Sequence, residues 1–293
     1  MATMPEVPTG EAWPDEADGL VVLQAELAAR AREVLDADPF RLPENALIGG
    51  CFVAFARGEA GPGRPGDRAF AAAVVWEPGH GALLRRGMGG APARSEGKAL
   101  HGTHRLVGAT SGVVHVARQA ADVVEQKVVQ QAVGAAYSPG LLALREGPVL
   151  AAAVAALEQR PAVLLVDASG ADHPRRAGLT IHLGWALGLP TVGVTRRPLR
   201  ATGDMTALHA PVAGAGLVRG RSWPLGLEDE VVAALVCTRT GARPVVAHAG
   251  WRTDVETAVE VALAASTEGA RAPVPLQEAR RVAREARDLA GAG

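Results

Sequence analysis

The sequence predicts a mixed α/β domain in which antiparallel hairpin strands come first, parallel β-α-β units follow, and helices flank one central sheet. The first observation is a pair of apolar β-like runs, 46–56 and 68–76, joined by a Gly- and Pro-rich turn, which favours an antiparallel hairpin. The second is a continuous apolar run at 161–167, typical of a parallel strand covered on both faces. A helical segment at 176–189 and a short strand at 190–194 complete a β-α-β unit.

The remaining segments extend this architecture. Residues 1–18 are rich in proline, glycine and acidic residues, so we expect a disordered tail before a single domain at 19–290. A Gly-rich, irregular insertion is expected near 78–118. The segment 120–133 fits a strand or a helix, and the spacing of its valines favours the helix. The other predicted elements are helix 19–35, a β-like run at 106–117, helix 145–159, strands 231–238 and 243–247, and helices 253–265 and 277–290.

Composition excludes several classes of protein. Hydrophobic residues make up 48% and charged residues 21%, enough apolar side chains to bury a core. The net charge is −1, from 30 Lys and Arg against 31 Asp and Glu, so contact with nucleic acid must rest on a local patch. No apolar run reaches the roughly 18 residues of a membrane span. We therefore expect no membrane partner. Cys51 and Cys237 have neither metal-ligand spacing nor the pattern of a disulfide framework, so we expect a cytoplasmic protein without disulfides.

Two carboxylates are candidates for chemistry. Asp167 follows a predicted buried strand, at the edge of the sheet where α/β proteins bind ligands; alternatively, it is a turn residue paired with Arg175 or Arg176. Glu146 lies in the predicted first turn of a helix, where the helix dipole favours a carboxylate for structural reasons alone. If the two converge, they suit Mg²⁺, which takes few carboxylates and several waters.

Cationic and aromatic residues supply further candidates. The HPRR segment at 173–176 opens a predicted helix and favours an anion such as phosphate; the alternative is pairing with the protein's own carboxylates. Tyr137, the only tyrosine, lies in a turn beside a Pro-Gly pair, where it either stacks on bases or packs under a loop. His182 lies in an apolar helical context and is predicted to be a core residue.

Several stretches, in order along the chain, resemble the endonuclease V family. The most distinctive is PAVLLVDASGADHPRRAGLTIHLGWALGLPTVGVTRRPL at 161–199. The resemblance implies an RNase H-like fold and Mg²⁺-dependent cutting of a strand near deoxyinosine, or near inosine in RNA. The other matching stretches are LVVLQAELAARA at 20–31, LIGGCFVAF at 47–55, RAFAAAVVW at 68–76, AYSPGLLALREGPVLAA at 136–152, and the segment 230–263.

Carried over residue by residue, the resemblance assigns three roles. Tyr137 matches the wedge that opens the strand at the lesion. Glu146 and Asp167 match two acidic residues of the metal site. The family's HPRR segment is matched by His173, Arg175 and Arg176.

Three positions depart from the family pattern. Phe52 stands where the first strand carries a metal-binding aspartate, Trp251 replaces a late histidine, and Arg196 replaces a lysine. Losing a carboxylate beside a divalent ion costs on the order of several kcal/mol of transition-state stabilisation. We therefore expect an incomplete metal site, in which Glu146 and Asp167 are the ligands only if Mg²⁺ binds.

These departures predict a protein without ordinary deoxyinosine endonuclease activity, whose remodelled and more apolar cleft carries out other chemistry on a small-molecule ligand. Its acid/base residues would be Glu146, Asp167 and His173. Phe52 and Trp251 would bound the apolar pocket. The full set of predicted pocket residues is Phe52, Tyr137, Arg175, Arg176, Arg196 and Trp251.

Two alternatives remain open. In the first, the protein is an active Mg²⁺-dependent, inosine-directed nuclease in which Asp172, His248 or Asp254 replaces the lost ligands. In the second, it is a non-catalytic binder of nucleic acid that uses Tyr137 and the HPRR segment. A third carboxylate within metal reach of Asp167 would favour the nuclease.

Overall fold

The computed structural model describes residues 12–56, 63–79, 112–113, 122–209 and 216–291, which build one ten-stranded sheet and the helices around it. Most of the insertion predicted near 78–118, and of the β-like run at 106–117, lies outside these residues. The strands are β1 (Ile48–Phe55), β2 (Arg68–Trp76), β3 (Gly112–Val113), β4 (Val123–Ala132), β5 (Val163–Val166), β6 (Thr191–Thr195), β7 (Thr202–Gly203), β8 (Ser222–Leu227), β9 (Glu230–Val236) and β10 (Val245–Ala249). The helices are α1 (Ala17–Ala37), α2 (Leu142–Ala155), α3 (Leu179–Leu187), α4 (Thr206–His209), α5 (Val255–Ala264) and α6 (Val274–Gly291).

The sheet is mixed, as predicted, and its strand order is β3-β4-β2-β1-β5-β6-β10-β9-β8-β7. β1 and β2 form the predicted antiparallel hairpin. β1, β5 and β6 lie parallel, so the predicted β-α-β unit is β5-α3-β6. β10 returns antiparallel to both β6 and β9. The carboxyl ends of β1 and β5 therefore meet at one edge of the sheet, where Asp167 lies.

The prediction of a helix at 120–133 is wrong, because this segment contains strand β4. β4 pairs antiparallel with the whole length of β2. Its valines come in adjacent pairs, and the members of a pair face opposite sides of the sheet: Val128 joins the hydrophobic cluster under α6, and Val129 joins the cluster under α2. Pairing with a strand that is distant in sequence thus outweighs the local helical spacing.

Helices cover both faces of the sheet. α2 and α3 pack on one face, and α5 and α6 pack on the other. α6 approaches the sheet most closely near its start, where a Cβ at Gly50 of β1 would lie 2.5 Å from the carbonyl carbon of Pro275. Because Gly50 has no side chain, α6 can lie across β1, and its arginines reach the edge of the sheet that carries Asp167.

Residues 12–18, predicted to be the end of a disordered tail, belong to the fold. α1 begins at Ala17, and the Trp13 ring stacks on His182 with ring centroids 4.4 Å apart. His182 is fully buried in α3, as predicted, and its Nε2 donates to the Ala12 carbonyl at 2.5 Å. Burial lowers the pKa of His182 to about 4, so the ring is neutral. Within the described ranges, no helix combines the length and apolarity needed to cross a bilayer.

Candidate functional site

The loop between β4 and α2 places Tyr137 at the mouth of a cleft of about 210 Å³, which we refer to as the Tyr137 cleft. The Tyr137 side chain is 48% exposed, so it does not pack under a loop. The cleft lies where the loops after β5 and β6 meet the start of α2. Its lining residues are Gln24, Tyr137, Gly140, Leu142, Ala143, Ala168, Ser169, His173, Leu179, Thr195, Arg197, Pro198 and Leu199.

The turn that carries Tyr137 is fixed through Gly140. Gly140 has a φ of +78°, a left-handed conformation that suits glycine. Its carbonyl accepts hydrogen bonds from Arg175 Nη2 at 2.6 Å and from Gln24 Nε2 at 3.3 Å. Arg175 Nε donates in addition to Gln24 Oε1 at 2.6 Å. The guanidinium of Arg175, predicted to bind a ligand, therefore ties the turn to α1 instead.

His173 lines the cleft as a neutral imidazole. It is buried, and its Nδ1 accepts the backbone N–H of Arg175 at 3.2 Å. Burial, and then the positive charge of Arg175, lower the pKa of His173 to about 4. At neutral pH the ring is a hydrogen-bonding group and not a proton donor with a matched pKa, so the predicted acid/base role does not suit it.

The opposite wall of the cleft is the loop that follows β6. Asp172 is fully buried and accepts hydrogen bonds from the backbone N–H groups of Leu199, Arg200 and Ala201, each at 2.6 Å. These three bonds tie the loop to Asp172. Asp172, predicted as a substitute metal ligand, is therefore a structural anchor.

Thr195 and His248 fix the start of the same loop. Thr195 Oγ1 donates to the Arg197 carbonyl at 2.7 Å, and His248 Nε2 lies 2.8 Å from that hydroxyl. The other ring nitrogen, Nδ1, lies 3.5 Å from Asp172 Oδ2. Burial lowers the pKa of His248 and keeps its ring neutral.

Arg197, and not the predicted Arg196, lines the Tyr137 cleft. Arg196 is exposed and lies near Arg271, whose pKa is lowered first by burial and then by the charge of Arg196. The resemblance identified the residue directly after the strand. Since neighbouring side chains leave a strand end in opposite directions, the next arginine is the one that reaches the cleft.

The guanidinium of Arg176 bonds to groups of the protein itself. This is the alternative that the sequence analysis gave to an anion site in the HPRR segment. It adopts a left-handed φ of +57°. Its Nη2 donates to the Leu227 carbonyl at 2.8 Å and to Glu228 Oε2 at 3.1 Å, and its Nη1 lies 3.5 Å from Glu230 Oε2. Arg176 therefore fastens the start of α3 to the β8–β9 hairpin.

Asp167 is held by an arginine that the sequence analysis did not identify. Arg280, on α6, donates through Nη2 to Asp167 Oδ2 at 2.6 Å. The side chains of Arg280 and Asp167 remain 23% and 29% exposed, so a ligand in solution can reach the pair. The predicted alternative, a pairing of Asp167 with Arg175 or Arg176, is wrong because both of those guanidinium groups bind elsewhere.

Phe52 lies directly beside this ion pair. The parallel register of β1 and β5, continued by one residue, makes Phe52 and Asp167 neighbours. The guanidinium of Arg280 stands over the Phe52 ring, 5.0 Å from its centroid, and that of Arg284 lies 5.8 Å from the same centroid. Both distances are within the range of cation–π attraction. An aromatic ring and two cations thus occupy the surroundings of Asp167.

Glu146 is a carboxyl group with a strongly shifted pKa. α2 begins at Leu142, so Glu146 lies beyond the first turn, and the predicted stabilisation by the helix dipole does not apply. Burial, and then the negative charge of Asp167, raise the pKa of Glu146 to about 7, although the charge of Arg145 opposes this. At neutral pH Glu146 is about half protonated.

The raised pKa of Glu146 should make the protein less stable as the pH rises. The folded state holds the proton more tightly than the unfolded chain between the ordinary pKa of 4.5 and about 7. The associated stability is complete below pH 4.5 and is lost as the pH rises through 7. At about 1.36 kcal/mol for each pKa unit, the loss is at most about 3 kcal/mol. Urea denaturation at about pH 5 and about pH 8 should show a larger loss for wild type than for Glu146→Gln, and equal losses would contradict the assignment.

Trp251 does not share a pocket with Phe52. Its ring is buried between α1 and α3, in a cluster with Leu27 and Ile181. Phe52 packs instead against the cluster under α6. The expectation that these two rings bound one apolar pocket is therefore wrong.

The side chains around Asp167 do not fit a magnesium ion. Arg280 already neutralises Asp167, and Phe52 offers no oxygen ligand. Among the residues that the structure describes, no three His, Cys, Asp or Glu side chains are placed to share a metal. Mg²⁺ is usually held by one or two carboxylates and several waters, and here the Asp167 carboxylate is already bonded to the Arg280 guanidinium.

Asp254, another predicted substitute ligand, has a structural role. It caps α5 by accepting the Thr257 N–H at 2.7 Å, and it pairs with Arg41 at 2.9 Å. Each of the substitutes that the active-nuclease alternative requires is thus already bonded within the fold.

Comparison with known proteins identifies the family. The family model described as Endonuclease V matches residues 100–281. The chain belongs to the endonuclease V family. An Endonuclease V of Gloeobacter violaceus is 38% identical over 160 residues, which span 54% of this chain and only 61% of that relative. The crystal structure of the Endonuclease V from Streptomyces avermitilis has 28% identity and a TM-score of 0.70, covering 97% of this chain and 98% of its own.

A more distant family member shows the same fold with a ligand. The Endonuclease V of Ciona intestinalis was crystallised in complex with a 24mer DNA containing an inosine followed by a ribo-adenosine. It has 19% identity and a TM-score of 0.60, and the match covers 93% of this chain and 100% of its own. The mixed sheet with flanking helices, predicted from the sequence, is thus confirmed as an endonuclease V fold.

Proposed function

We propose that this member of the endonuclease V family binds inosine-containing nucleic acid at the Tyr137 cleft and does not cut it with Mg²⁺. The observation that carries the proposal is the 2.6 Å bond between Arg280 and Asp167 beside Phe52. A guanidinium group supplies here the positive charge that a metal ion would supply. A guanidinium does not generate hydroxide from bound water at neutral pH, so the site balances charge without forming a nucleophile.

The Tyr137 cleft supports binding of a base. Tyr137 presents an exposed ring on which a base can stack, an interaction that contributes about 1–3 kcal/mol per base. The neutral ring of His173 and the guanidinium of Arg197 line the same cleft and can hydrogen-bond to the edge of a base. Family membership supports the same class of ligand.

The small-molecule function that the sequence predicted has one supporting observation. Glu146, with a pKa raised to about 7, is suited to general acid/base catalysis at neutral pH. The apolar pocket on which that function depended is not formed, because Phe52 and Trp251 lie in different clusters. The small-molecule function is therefore the second candidate.

A labelled single strand with one deoxyinosine, compared with the same strand carrying adenine, tests the proposal. Wild type should prefer the inosine strand and should leave it intact with Mg²⁺ or Mn²⁺. Tyr137→Ala should weaken binding by about 5- to 150-fold, since it removes the stacking ring. Tyr137→Phe, which keeps the ring, is the matched control and should bind like wild type.

The outcomes distinguish a non-cutting binder of inosine-containing strands, an active nuclease and a small-molecule enzyme. Cleavage by wild type with Mg²⁺ would overturn the proposal. Equal, weak binding of both strands would overturn inosine recognition and favour the small-molecule enzyme. Binding that Tyr137→Ala leaves unchanged would show that the cleft is not the recognition site.

A further inference from the structure

We propose that Arg280 and Arg284, standing together over Phe52, form a binding site for one phosphate of the nucleic-acid strand. This inference rests on the proposed function and adds to it a second contact with the same strand. The site needs no metal ion. It consists of two guanidinium groups on one aromatic face, at the end of the sheet where Asp167 lies.

The geometry prepares both guanidinium groups for an anion. Arg280 and Arg284 are one turn apart on α6, so their side chains lie on the same face of the helix. Their guanidinium carbons lie 5.0 Å and 5.8 Å from the centroid of the Phe52 ring. A guanidinium over an aromatic face keeps its N–H groups available at its edges, and those edges match the oxygens of a phosphate.

The charge balance along α6 singles out Arg284. The groove beside α6 has a volume of about 720 Å³, and the acidic side chains in it have partners: Glu285 pairs with Arg281, and Asp288 pairs with Arg287. Arg284 pairs with no carboxylate in the described part of the chain. With Arg280 shared with Asp167, the two cations over Phe52 carry more positive charge than their neighbours balance, and a bound anion would remove this excess.

The place of the site in the fold favours a strand phosphate over a free anion. Ala168 and Ser169, the two residues after Asp167, line the Tyr137 cleft. At about 3.3–3.6 Å of chain per residue, the ion pair and the cleft are separated by at most about 7 Å of backbone. Phe52 belongs to the cluster under α6 and Ala168 to the cluster on the other face of the sheet, so a strand whose base enters the cleft would cross the end of the sheet at Asp167. Arg280 and Arg284 would there take one unesterified oxygen each of a neighbouring phosphate.

The test is a double-mutant cycle between Arg284 and the phosphate. Affinity for the deoxyinosine strand is measured for wild type and Arg284→Gln, each with the natural strand and with strands in which one phosphate near the inosine is a neutral methylphosphonate. Arg284→Gln should weaken binding by about 5- to 10-fold and should reduce the salt slope by about one contact. One methylphosphonate position should weaken wild type by a similar factor and should weaken Arg284→Gln clearly less, because only Arg280 then remains at that phosphate.

Arg30→Gln is the matched control, since it removes the same charge from an exposed position on α1. It should keep full sensitivity to the methylphosphonate. If Arg30→Gln and Arg284→Gln weaken binding equally, or if the methylphosphonate weakens Arg284→Gln as much as wild type, the site does not exist and only general charge attraction remains.

A second measurement separates this inference from the proposed function. Inorganic phosphate is titrated into ¹⁵N-arginine-labelled protein while the Nε–H signals of Arg280 and Arg284 are followed by NMR. Both signals should shift together, and the Arg30 signal should not move. If wild type fails to bind the inosine strand but these signals shift, the proposed function fails and the phosphate site stands; if they do not shift, the phosphate site is overturned as well.

Discussion

A chain that carries both Phe52→Asp and Arg280→Leu should bind a divalent metal ion more tightly than the natural chain does. Phe52 is the neighbour of Asp167 across β1 and β5, so the first substitution adds a carboxylate directly beside an existing one. The second removes the guanidinium that now donates to Asp167 at 2.6 Å. Together with Glu146, the three carboxyl groups would supply the oxygen ligands that Mg²⁺ and Mn²⁺ prefer.

Calorimetry and electron paramagnetic resonance measure the affinity for Mn²⁺ directly, so this test does not depend on activity. The double variant should bind at least about tenfold more tightly than either single variant, a difference of about 1.4 kcal/mol. Phe52→Asp alone should fail because Arg280 can pair with both carboxylates. Mn²⁺ bound by wild type as tightly as by the double variant would show that Arg280 does not replace a metal. Mg²⁺-dependent cutting of the inosine strand by the double variant would show in addition that the rest of the site is intact.

Much of the fold can be predicted from the sequence because its signals are local. The hairpin follows from two apolar β-like runs and the turn between them, and β5 follows from a continuous apolar run. β4 could not be assigned in this way, because its pairing with β2 involves residues far apart in sequence. The stacking of Trp13 on His182 is a contact of the same kind, and it extends the domain past the predicted boundary at residue 18.

The site is less predictable because its chemistry depends on pairs of distant residues. The sequence identified Tyr137, Glu146, Asp167 and His173, and the structure places two of these, Tyr137 and His173, in one cleft. The sequence alone could not identify Arg280, which lies 113 positions from Asp167 and belongs to no motif. Spacing shows which residue types are present, but only the packing of α6 across β1 shows which of them cancel each other's charge.

Asp172→Ala should be the most damaging single substitution near the cleft. It leaves the N–H groups of Leu199, Arg200 and Ala201 without their acceptor, and Ala201 is buried while the other two residues are exposed. An unsatisfied buried donor costs about 1–3 kcal/mol, so we expect the free energy of unfolding to fall by about 1–3 kcal/mol. The loop would also lose its fixed conformation, and with it the wall of the Tyr137 cleft. Urea denaturation measures the first effect, and the ratio of affinities for the inosine and adenine strands measures the second.

Asp204→Ala is the matched control, because Asp204 also accepts a backbone N–H, that of Thr206 at 2.9 Å, but in an exposed turn. Water can replace that acceptor, so the control should lose much less stability and keep its preference for inosine. Asp172→Asn retains one acceptor oxygen and should fall between the two. If Asp172→Ala loses stability but keeps the full inosine preference, the loop after β6 is scaffolding only, and recognition must come from Tyr137 and His173. If the preference is lost while Asp172→Asn restores part of it, the three N–H bonds to Asp172 set the shape of the recognition pocket.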